Sequence, residues 1–390
     1  MSSTKTATPA WSTAAKRRAG EIPLSFARIC GQDRAKAIVA AWLRSRRVPH
    51  AVLISGPPGT GKRFLALELA KALNCQARGE AACERCPHCR KMAALAHPDL
   101  CILLPQKKKE EEDRQSPPWE EVWAEVRPAA QEYLEQELSL TRSRTNIPKK
   151  HLLALQRELS YAPMEAPWKV ALIFEAECMH PAGANALLKI LEEPPAHACF
   201  ILVSSAPQRL LPTVLSRCQR LPLQRLGLGE LAAQLEQEGV EPQRAGVAAR
   251  LGEGSLQRAR QVAAGELDQI SQQVEQFLQA GVEGQDGVYW ELVEELGTDR
   301  LRLEQFLSLS SHYLRDLFLL SCQRPAALAR ADRLEFLQHL QSRLPAERVE
   351  ELAVELDRGF GCLGRNVHAP LVLAELWRQL RQGSQMRVRG

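Results

Sequence analysis

Aromatic residues and excess charge are both scarce in this chain of 390 residues, at 5% aromatics and a net charge of only +5 at pH 7. No stretch approaches the roughly 20 consecutive apolar residues that a membrane-spanning helix needs. The first twenty residues lack the apolar core of a secretory signal. The small positive charge permits contact with nucleic acid without requiring it. We therefore expect a cytoplasmic protein with no membrane segment.

Cysteine, in contrast, is plentiful, with eleven residues. In a cytoplasmic protein these thiols are expected to bind metal or to be buried rather than to form disulfides. The hydrophobic content of 45% is ordinary for a globular protein, and the length is enough for two or three domains.

Short apolar runs alternate with helical patterns from Pro23 to about Leu223. Each run is short enough to be a strand buried on both faces of a parallel sheet. The four runs span residues 51–56, 99–105, 170–176 and 199–205. Strands that alternate with helices predict an α/β domain with a parallel sheet flanked by helices.

Composition and periodicity divide the chain into four predicted regions. These are a disordered tail at 1–21, the α/β domain at 22–224, a small helical region at 225–266 and an all-α region at 267–390. Within the α/β domain, residues 106–148 begin with the charged run KKKEEEDRQSPP and continue as a helical pattern. We interpret them as a surface insertion between two strands, with the charges on a solvated face.

One apolar helical stripe stands out in the C-terminal region. Its members are Leu371, Leu373, Leu376, Trp377 and Leu380. Such a stripe either packs inside its own domain or contacts a partner, and the pattern leaves both interpretations open.

A glycine-rich segment that follows the first apolar run has the spacing of a phosphate-binding loop. Glycines allow successive backbone N–H groups to turn towards an anion, and the following helix, Phe64–Leu73, adds partial positive charge. The candidate nucleotide-binding residues are Gly56, Gly59, Thr60, Gly61 and Lys62, with Lys62 directed at the β- and γ-phosphates. The alternative is a glycine-rich turn without a ligand.

Two positions that normally support Mg²⁺ carry residues that cannot do so. Arg63 occupies the place of the Ser or Thr whose hydroxyl binds the metal, and a guanidinium offers only donors. Phe174 stands where the second metal-supporting Asp is expected, whereas Glu175, which would polarise water, is kept. We predict that hydrolysis is absent or very slow. ATP or ADP binding stays open, without a well-anchored Mg²⁺.

Four cysteines follow the phosphate-loop helix as Cys75-x7-Cys83-x2-Cys86-x2-Cys89. This spacing suits a tetrahedral Zn²⁺ whose role is structural, because four thiolates leave no open coordination position. Free thiols are the alternative, and His88, a competing ligand, is expected to face solvent. The remaining cysteines are interpreted as buried or incidental thiols; they are Cys30, Cys101, Cys178, Cys199, Cys218, Cys322 and Cys362.

These motifs, together with others, resemble the AAA+ subunits of bacterial sliding-clamp loaders. The resemblance is specific over about residues 22–260 and weak from there to Leu380. Its further motifs are Gly31-Gln32-Asp33, Val48-Pro49-His50-Ala51, His97-Pro98-Asp99-Leu100, Asn185-Ala186-Leu187-Leu188-Lys189, Leu191-Glu192-Glu193-Pro194-Pro195 and Ser216-Arg217-Cys218.

The clamp-loader family has two close branches, hydrolysing gamma/tau motors and a delta-prime stator that is generally hydrolysis-defective. Arg63 and Phe174 point to the delta-prime branch. So does Gln257, which stands where a motor carries its sensor-2 arginine; Arg258 lies one place later. The chain also lacks the long C-terminal extension of a tau-type subunit. The resemblance implies an AAA+ domain, a helical lid at 225–266 and a collar or oligomerisation domain at 267–390.

Arg217 takes its expected role from the resemblance alone. In the family, this position supplies an arginine finger to the ATP of the neighbouring subunit, where its permanent charge bridges phosphate oxygens. From the residues alone, a surface ion pair with a local carboxylate is the simpler interpretation. Ser204 or Ser205 matches the sensor-1 position, or is a plain serine at the end of a strand.

The resemblance implies a hetero-oligomer with gamma/tau and delta subunits that loads the sliding clamp on primed DNA without reading its sequence. The chain would then belong to a DNA-directed DNA polymerase holoenzyme, a nucleotidyltransferase, without ATPase activity of its own. Two alternatives remain: an ATP-hydrolysing motor of gamma/tau type, and a zinc-bearing interaction module outside replication.

Overall fold

The computed structural model describes residues 26, 29–107, 116–135, 145–297, 299–363 and 369–385. The predicted tail at 1–21 and most of the charged run that begins the insertion lie outside the described residues. Within them, no helix combines the length and apolar character needed to cross a membrane.

The centre of the α/β part is a five-stranded parallel sheet with strand order β2-β5-β6-β1-β7. Two short strands, β3 and β4, pair separately and antiparallel. The strands are β1 (Ala51–Ser55), β2 (Leu100–Leu103), β3 (Gln106–Lys107), β4 (Thr145–Asn146), β5 (Lys169–Ile173), β6 (Ala198–Ser204) and β7 (Gln219–Pro222). All four strands predicted from apolar runs are present.

Helices make up most of the remainder of the described chain. Those of the α/β part are α1 (Asp33–Ser45), α2 (Lys62–Leu73), α3 (Pro87–Ala93), α4 (Trp119–Glu135), α5 (Lys149–Ser160), α6 (Pro181–Glu192) and α7 (Pro212–Leu215). Those that follow are α8 (Leu228–Gln237), α9 (Pro242–Leu251), α10 (Leu256–Ala264), α11 (Asp268–Glu283), α12 (Asp286–Leu296), α13 (Arg300–Ser321), α14 (Leu334–Gln341), α15 (Ala346–Leu363) and α16 (Ala369–Gln385).

Proline and glycine explain several of the helix ends. Proline is the first residue of α3, α6, α7 and α9, a position whose N–H has no partner within the helix. Helices α10 and α11 end at Gly265 and Gly284, which adopt the left-handed conformation that glycine enters without strain.

The insertion contributes one helix to the apolar core. It leaves the sheet after β2 and returns before β5, with β3 and β4 pairing at its base. One face of α4 joins the main apolar core through Val122, Val126, Ala130 and Tyr133, which recur at helical spacing. The charged residues Glu120, Glu121 and Glu125 of this helix are exposed, as expected of a solvated face, but the buried apolar stripe on its other face was not predicted. The interpretation of 106–148 as a surface insertion stays a prediction.

Besides a small apolar cluster around the four cysteines, the described residues form three apolar clusters that follow one another along the chain. The largest surrounds the sheet, a small one joins α8, α9 and α10, and the third holds the C-terminal helices together. The parallel α/β sheet flanked by helices and the helical C-terminal region therefore agree with the predicted fold class. The domain boundaries at 22–224, 225–266 and 267–390 stay a prediction.

The predicted C-terminal stripe is intradomain core at four of its five positions. Leu373, Leu376, Trp377 and Leu380 of α16 are buried against α11 and its neighbours. Leu371 is 62% exposed and points away from this core, so its inclusion in the stripe was wrong. Leu371 and Leu373 are two positions apart on α16, and side chains at that spacing point to nearly opposite sides of a helix.

Leu373 and Leu371 offer a matched test of this packing, because they lie on the same helix and differ in burial. We expect Leu373→Ala to lower the free energy of unfolding by about 2–5 kcal/mol through loss of apolar contact and a residual cavity. Leu371→Ala should change it by less than about 0.5 kcal/mol. Urea denaturation of the two variants measures both values. Equal losses would show that α16 packs by a different face.

Candidate functional site

The predicted nucleotide-binding residues lie at the carboxyl edge of the parallel sheet. The glycine-rich loop follows β1, Glu175 follows β5, and β6 ends at Ser204, and these three strands are neighbours in the order β5-β6-β1. Ligands of open α/β sheets bind at this edge, because loops from adjacent strands converge there. The fold thus brings together residues that are far apart in sequence.

The loop itself depends on glycine for two reasons that are visible in the chain. Gly59 has φ +72°, and a Cβ built there would lie 1.7 Å from Ser255 Oγ at the start of α10. Gly56 has φ +152°, and its Cβ would lie 2.5 Å from the carbonyl oxygen of Leu223. Gly59 therefore also lets Ser255 of the 225–266 region approach the loop closely, and Gly56 does the same for Leu223.

Lys62 and Thr60 are both buried and turn back onto the loop. Lys62 Nζ donates to the carbonyl oxygen of Pro57 at 2.7 Å, and Thr60 Oγ1 donates to the same oxygen at 2.9 Å. Burial lowers the pKa of Lys62 to about 8, although the negative charge of Glu175 opposes that shift. An added anion would stabilise the charged form of this amine.

Arg63, the first of the two unusual residues, is held by the insertion. Its Cζ lies 3.5 Å from the centre of the Tyr133 ring, and its Nη1 donates to the Tyr133 carbonyl oxygen at 3.3 Å. Its Nη2 lies 3.7 Å from Glu175 Oε1. The Tyr133 hydroxyl donates to the same carboxylate oxygen at 2.6 Å. A resident guanidinium, an aromatic ring and a carboxylate thus form one closed cluster.

Phe174, the second unusual residue, completes the apolar side of this cluster. It is fully buried, and its ring centre lies 5.4 Å from that of Tyr133. Glu175, which follows it, has φ 47°, a left-handed conformation that is strained for a residue other than glycine. The carboxylate that would polarise water is therefore turned towards Tyr133 and Arg63.

Tyr133 is the site residue that sequence reasoning missed. It lies at the end of α4, in a segment interpreted as a solvated insertion, and it reaches Glu175 only through the fold. Tyr133 recurs at helical spacing with the apolar residues Val122, Val126 and Ala130, all of which are buried. This spacing could have predicted from the sequence that Tyr133 lies on an inward face of the helix. Nothing in that spacing indicated its contact with Arg63.

The two candidate sensor-1 serines differ in their surroundings. Ser204 is buried, and its Oγ accepts from the backbone N–H of Ala206 at 3.1 Å. The backbone N–H of Ser205 donates to Glu177 Oε1 at 3.1 Å. Both residues therefore have structural hydrogen bonds at the strand end.

Arg217 lies on the surface just beyond α7, with its guanidinium on a local carboxylate. Its Nη2 is 2.5 Å from Glu192 Oε1 at the end of α6, and its Nη1 donates to the Thr213 carbonyl oxygen at 2.9 Å. The simpler of the two sequence interpretations, a surface ion pair, is thus the arrangement seen in the isolated chain.

Arg258, one place after the sensor-2 position, connects two parts of the molecule. Its Nη1 lies 3.3 Å from Glu253 Oε2, and its Nη2 donates to Ser308 Oγ of α13 at 2.6 Å. It belongs to α10, whose first turn is capped by the Ser255 hydroxyl. This arginine therefore ties α10 to the C-terminal helices and is not directed at the loop.

The four predicted metal-binding cysteines come together. The Sγ atoms of Cys75, Cys83, Cys86 and Cys89 all lie within 4.8 Å of one another. The backbone N–H groups of Cys83, Cys86 and Cys89 donate to the preceding sulfurs at 3.3–3.4 Å. A tetrahedral Zn²⁺ places its sulfurs about 3.8 Å apart. The cluster has a geometry that could hold such a metal.

The pKa values of these thiols are shifted in different directions. Burial raises the pKa of Cys75 and Cys89. At Cys83, burial also raises the pKa, but the backbone N–H groups of Arg85 and Cys86 outweigh it and lower the value to about 6. A thiolate at this position is the form that binds metal.

His88 is half-buried, and its ring bonds to a second histidine in addition to the expected exposure to solvent. The distance from His88 Nδ1 to His97 Nε2 is 2.8 Å, and His97 Nδ1 accepts from the Asp99 backbone N–H. His97 must then carry its proton on Nε2 and donate it to His88. Burial lowers the pKa of His97. These tautomers leave no lone pair between the rings for a metal.

The other cysteines are a mixed group. Cys101, Cys199 and Cys218 are buried, and burial raises the pKa of each. Cys322 is exposed, and the rest are intermediate.

Comparison with known proteins points to subunits of DNA polymerase III. A family model described as "DNA polymerase III, delta subunit" matches residues 31–227, about half of the chain. The DNA polymerase III subunit delta' of Bacillus subtilis (strain 168) is 31% identical over 220 residues, which cover 56% of this chain and 56% of that protein. The subunit tau of Escherichia coli (strain K12) is 32% identical over 244 residues, covering 61% of this chain and 32% of that protein.

Similarity thus extends to both branches, over about half the length or less of these relatives. Among solved structures, a DNA polymerase III gamma subunit-related protein from Thermotoga maritima aligns with 89% of this chain and 99% of that chain. Its identity is 13% and its TM-score 0.41, too low to add to the argument.

Tyr133→Phe tests the cluster around Arg63. The variant keeps the ring beneath the guanidinium and removes the hydroxyl that donates to Glu175. Because a hydrogen bond to a charged group is lost in a buried place, we expect the free energy of unfolding to fall by about 1.5–3 kcal/mol. The control is Tyr161→Phe, since Tyr161 is 65% exposed; it should have an effect below about 0.5 kcal/mol. Equal values from urea denaturation would contradict the Tyr133–Glu175 contact.

Proposed function

We propose a function from one premise: the chain belongs to the DNA polymerase III delta subunit family. It acts as a delta-prime-like stator of the clamp loader, an AAA+ subunit that assembles with gamma/tau and delta subunits. The complex loads the sliding clamp on primed DNA, as part of a DNA-directed DNA polymerase holoenzyme. The stator completes the ATP site of a neighbour and does not hydrolyse ATP.

The observation that carries this proposal is the occupation of the metal positions by the chain itself. Arg63 lies over Tyr133 and faces Glu175, and Phe174 is buried beside them. A hydrolysing site needs Mg²⁺ between phosphate oxygens and protein oxygens, and a carboxylate free to orient water. Here the guanidinium of Arg63, which keeps its charge at any ordinary pH, already neutralises the carboxylate of Glu175. Relatives of both branches match at similar identity, so the proposal of a stator rather than a motor rests on these residues.

Nucleotide binding fits this proposal without contributing to turnover. Gly56, Gly59, Thr60, Gly61 and Lys62 are the residues that would hold the phosphates of ATP or ADP. Lys62 Nζ would exchange the Pro57 carbonyl for phosphate oxygens, a stronger partner because it is charged. Arg63 and Phe174 occupy the two positions that normally support the metal, and neither side chain has an oxygen atom that would anchor Mg²⁺ beside the phosphates.

Arg217 is the proposed finger. Its guanidinium is partly exposed and its ion pair with Glu192 is at the surface, where such pairs contribute about 0–1 kcal/mol. Exchange of this partner for the γ-phosphate of a neighbouring subunit is therefore inexpensive. The Glu192 pair would hold the side chain near its working position before assembly.

Arg217→Ala should leave the subunit folded and assembled, because only a surface ion pair is lost. At the neighbouring ATP site, we expect hydrolysis to fall on the order of 10³-fold, the size of an arginine-finger effect. Single-turnover hydrolysis by the reconstituted complex measures it. The matched control is Arg209→Ala, an exposed arginine of the same segment. If the two variants have the same turnover as the parent complex, Arg217 is no finger.

The four-cysteine cluster is proposed to hold one structural Zn²⁺ through Cys75, Cys83, Cys86 and Cys89. All four ligands come from the chain, so the metal supplies folding energy and no chemistry at an open position. Around it, Lys71 is buried between Glu68 and Glu84, at 2.5 and 2.6 Å, which joins the cysteine segment to α2. This arrangement fixes the segment that leads from the phosphate-loop helix to β2.

Metal analysis of the purified chain should give about one zinc per chain. Cys86→Ser should lose that zinc and lower the thermal midpoint, because one thiolate ligand and its folding energy are removed. Cys322→Ser, at an exposed cysteine outside the cluster, should keep both the zinc and the midpoint. A stable parent chain without metal would disprove the site.

A further inference from the structure

A second cleft lies between the α8–α10 region and helix α13, and none of the phosphate-loop residues lines it. Its volume is about 390 Å³, within the range of small-ligand sites. The lining residues are Arg225, Leu226, Leu228, Arg250, Glu253, Gly254, Ser311, His312 and Arg315. Neither the sequence motifs nor the proposed stator function uses these residues.

The charges that line the cleft do not balance. Three of these residues are arginines, and Glu253 is the one acidic residue among them. The Glu253 carboxylate is already paired with Arg258, whose Nη1 lies 3.3 Å from its Oε2. Within the described chain, the guanidinium groups of Arg250 and Arg315 make no ion pair or hydrogen bond.

The third arginine is fixed in the wall by its backbone surroundings. Arg225 Nη1 donates to the Glu253 carbonyl oxygen at 2.7 Å. Gly254 has φ +82°, and a Cβ there would lie 2.4 Å from Arg225 Cβ, so the turn closes tightly on this side chain. The Arg225 side chain is thus held in place by its packing and its hydrogen bond, and it is not free to change its position in the wall of the cleft.

His312 supplies an independent sign of a missing partner. Its side chain is 5% exposed, and its Nε2 is buried without a hydrogen bond, although Glu253 Oε1 lies near. Burial, together with the neighbouring Arg258 and Arg315, lowers the pKa of His312 to about 4, although Glu253 opposes the shift. A neutral imidazole facing a cleft can donate to a ligand oxygen. Buried polar atoms without a partner are rare enough to require an explanation.

From these contacts, we propose that the cleft binds a phosphate group, which Arg250 and Arg315 grip while Arg225 and His312 flank it. A planar guanidinium group can donate two parallel hydrogen bonds to phosphate oxygens. The positive charges of the arginines that line the cleft repel one another, and a bound anion would remove this repulsion. Leu228, 56% exposed at the rim, offers an apolar surface for the remainder of the ligand. The phosphate belongs either to a free phosphoanion or to a single-stranded nucleic acid backbone.

The test compares two probes on the full-length chain. Isothermal titration calorimetry measures the binding of inorganic pyrophosphate, and fluorescence anisotropy measures the binding of a labelled single-stranded oligothymidylate. In the double variant Arg250→Ala with Arg315→Ala, binding of at least one probe should weaken by about tenfold or more. Loss of pyrophosphate binding identifies a free anion as the ligand class. Loss of oligothymidylate binding alone identifies a nucleic acid strand.

Two controls make the result specific. Arg244→Ala with Arg324→Ala removes the same charge from exposed positions outside the cleft and should bind both probes as the parent does. Lys62→Ala removes the phosphate-loop amine and should leave the arginine-dependent binding in place. The inference is overturned if the parent binds neither probe, if both double variants weaken binding equally, or if only Lys62→Ala does. The stator proposal is unaffected, since assembly with clamp-loader subunits is measured separately.

The thermal midpoint provides a second readout. Removing Arg250 and Arg315 relieves like-charge repulsion, so the double variant should melt no lower than the parent in the absence of ligand. A lower midpoint would show that the two side chains are structural, which contradicts the inference.

Discussion

The guanidinium of Arg63, stacked on Tyr133 and facing Glu175, is the interaction on which the rest of the site depends. It joins the first turn of the phosphate-loop helix, the end of the inserted helix and Glu175, the second residue after β5. A desolvated cation–π contact of this kind contributes about 2 kcal/mol, and the shared carboxylate adds a charge-assisted contact. Because the positive charge belongs to the chain, the carboxylate is neutralised without a metal ion.

The same site is connected to the C-terminal helices through α10. The start of this helix lies against Gly59, so closely that only glycine fits there, and its Arg258 reaches Ser308 of α13. Helix α10 thus contacts the phosphate loop at its start and α13 through the side chain of Arg258. This contact explains why a loop with proposed vestigial chemistry would keep its glycines: they serve the packing between regions as well as any phosphate.

How much of this could be predicted from the sequence depends on how local each feature is. Strands β1, β2, β5 and β6 are buried on both faces and therefore appear as continuous apolar runs. Strand β7 was missed because only Leu221 among its residues is buried. Arg63 and Phe174 were identified because their positions are defined by short spacings within motifs.

Features that depend on the fold could not be predicted in this way. Tyr133 meets Glu175 across 42 residues of chain, and no periodicity reports that contact. His88 was assigned to solvent because its partner, His97, lies beyond the end of its own helix. The arginines of the second cleft come from the loop before α8, from α9 and from α13, which the sequence separates by up to about 90 residues.

The central claim is that a resident cation replaces the metal at this chain's own phosphate loop. The most direct measurement is ATP binding and hydrolysis by the isolated chain, with Mg²⁺ and with a chelator. We expect any ATP affinity to be the same in both conditions and turnover to stay at background. Mg²⁺-dependent binding together with turnover that Lys62→Ala abolishes would contradict the claim and assign the chain to the motors.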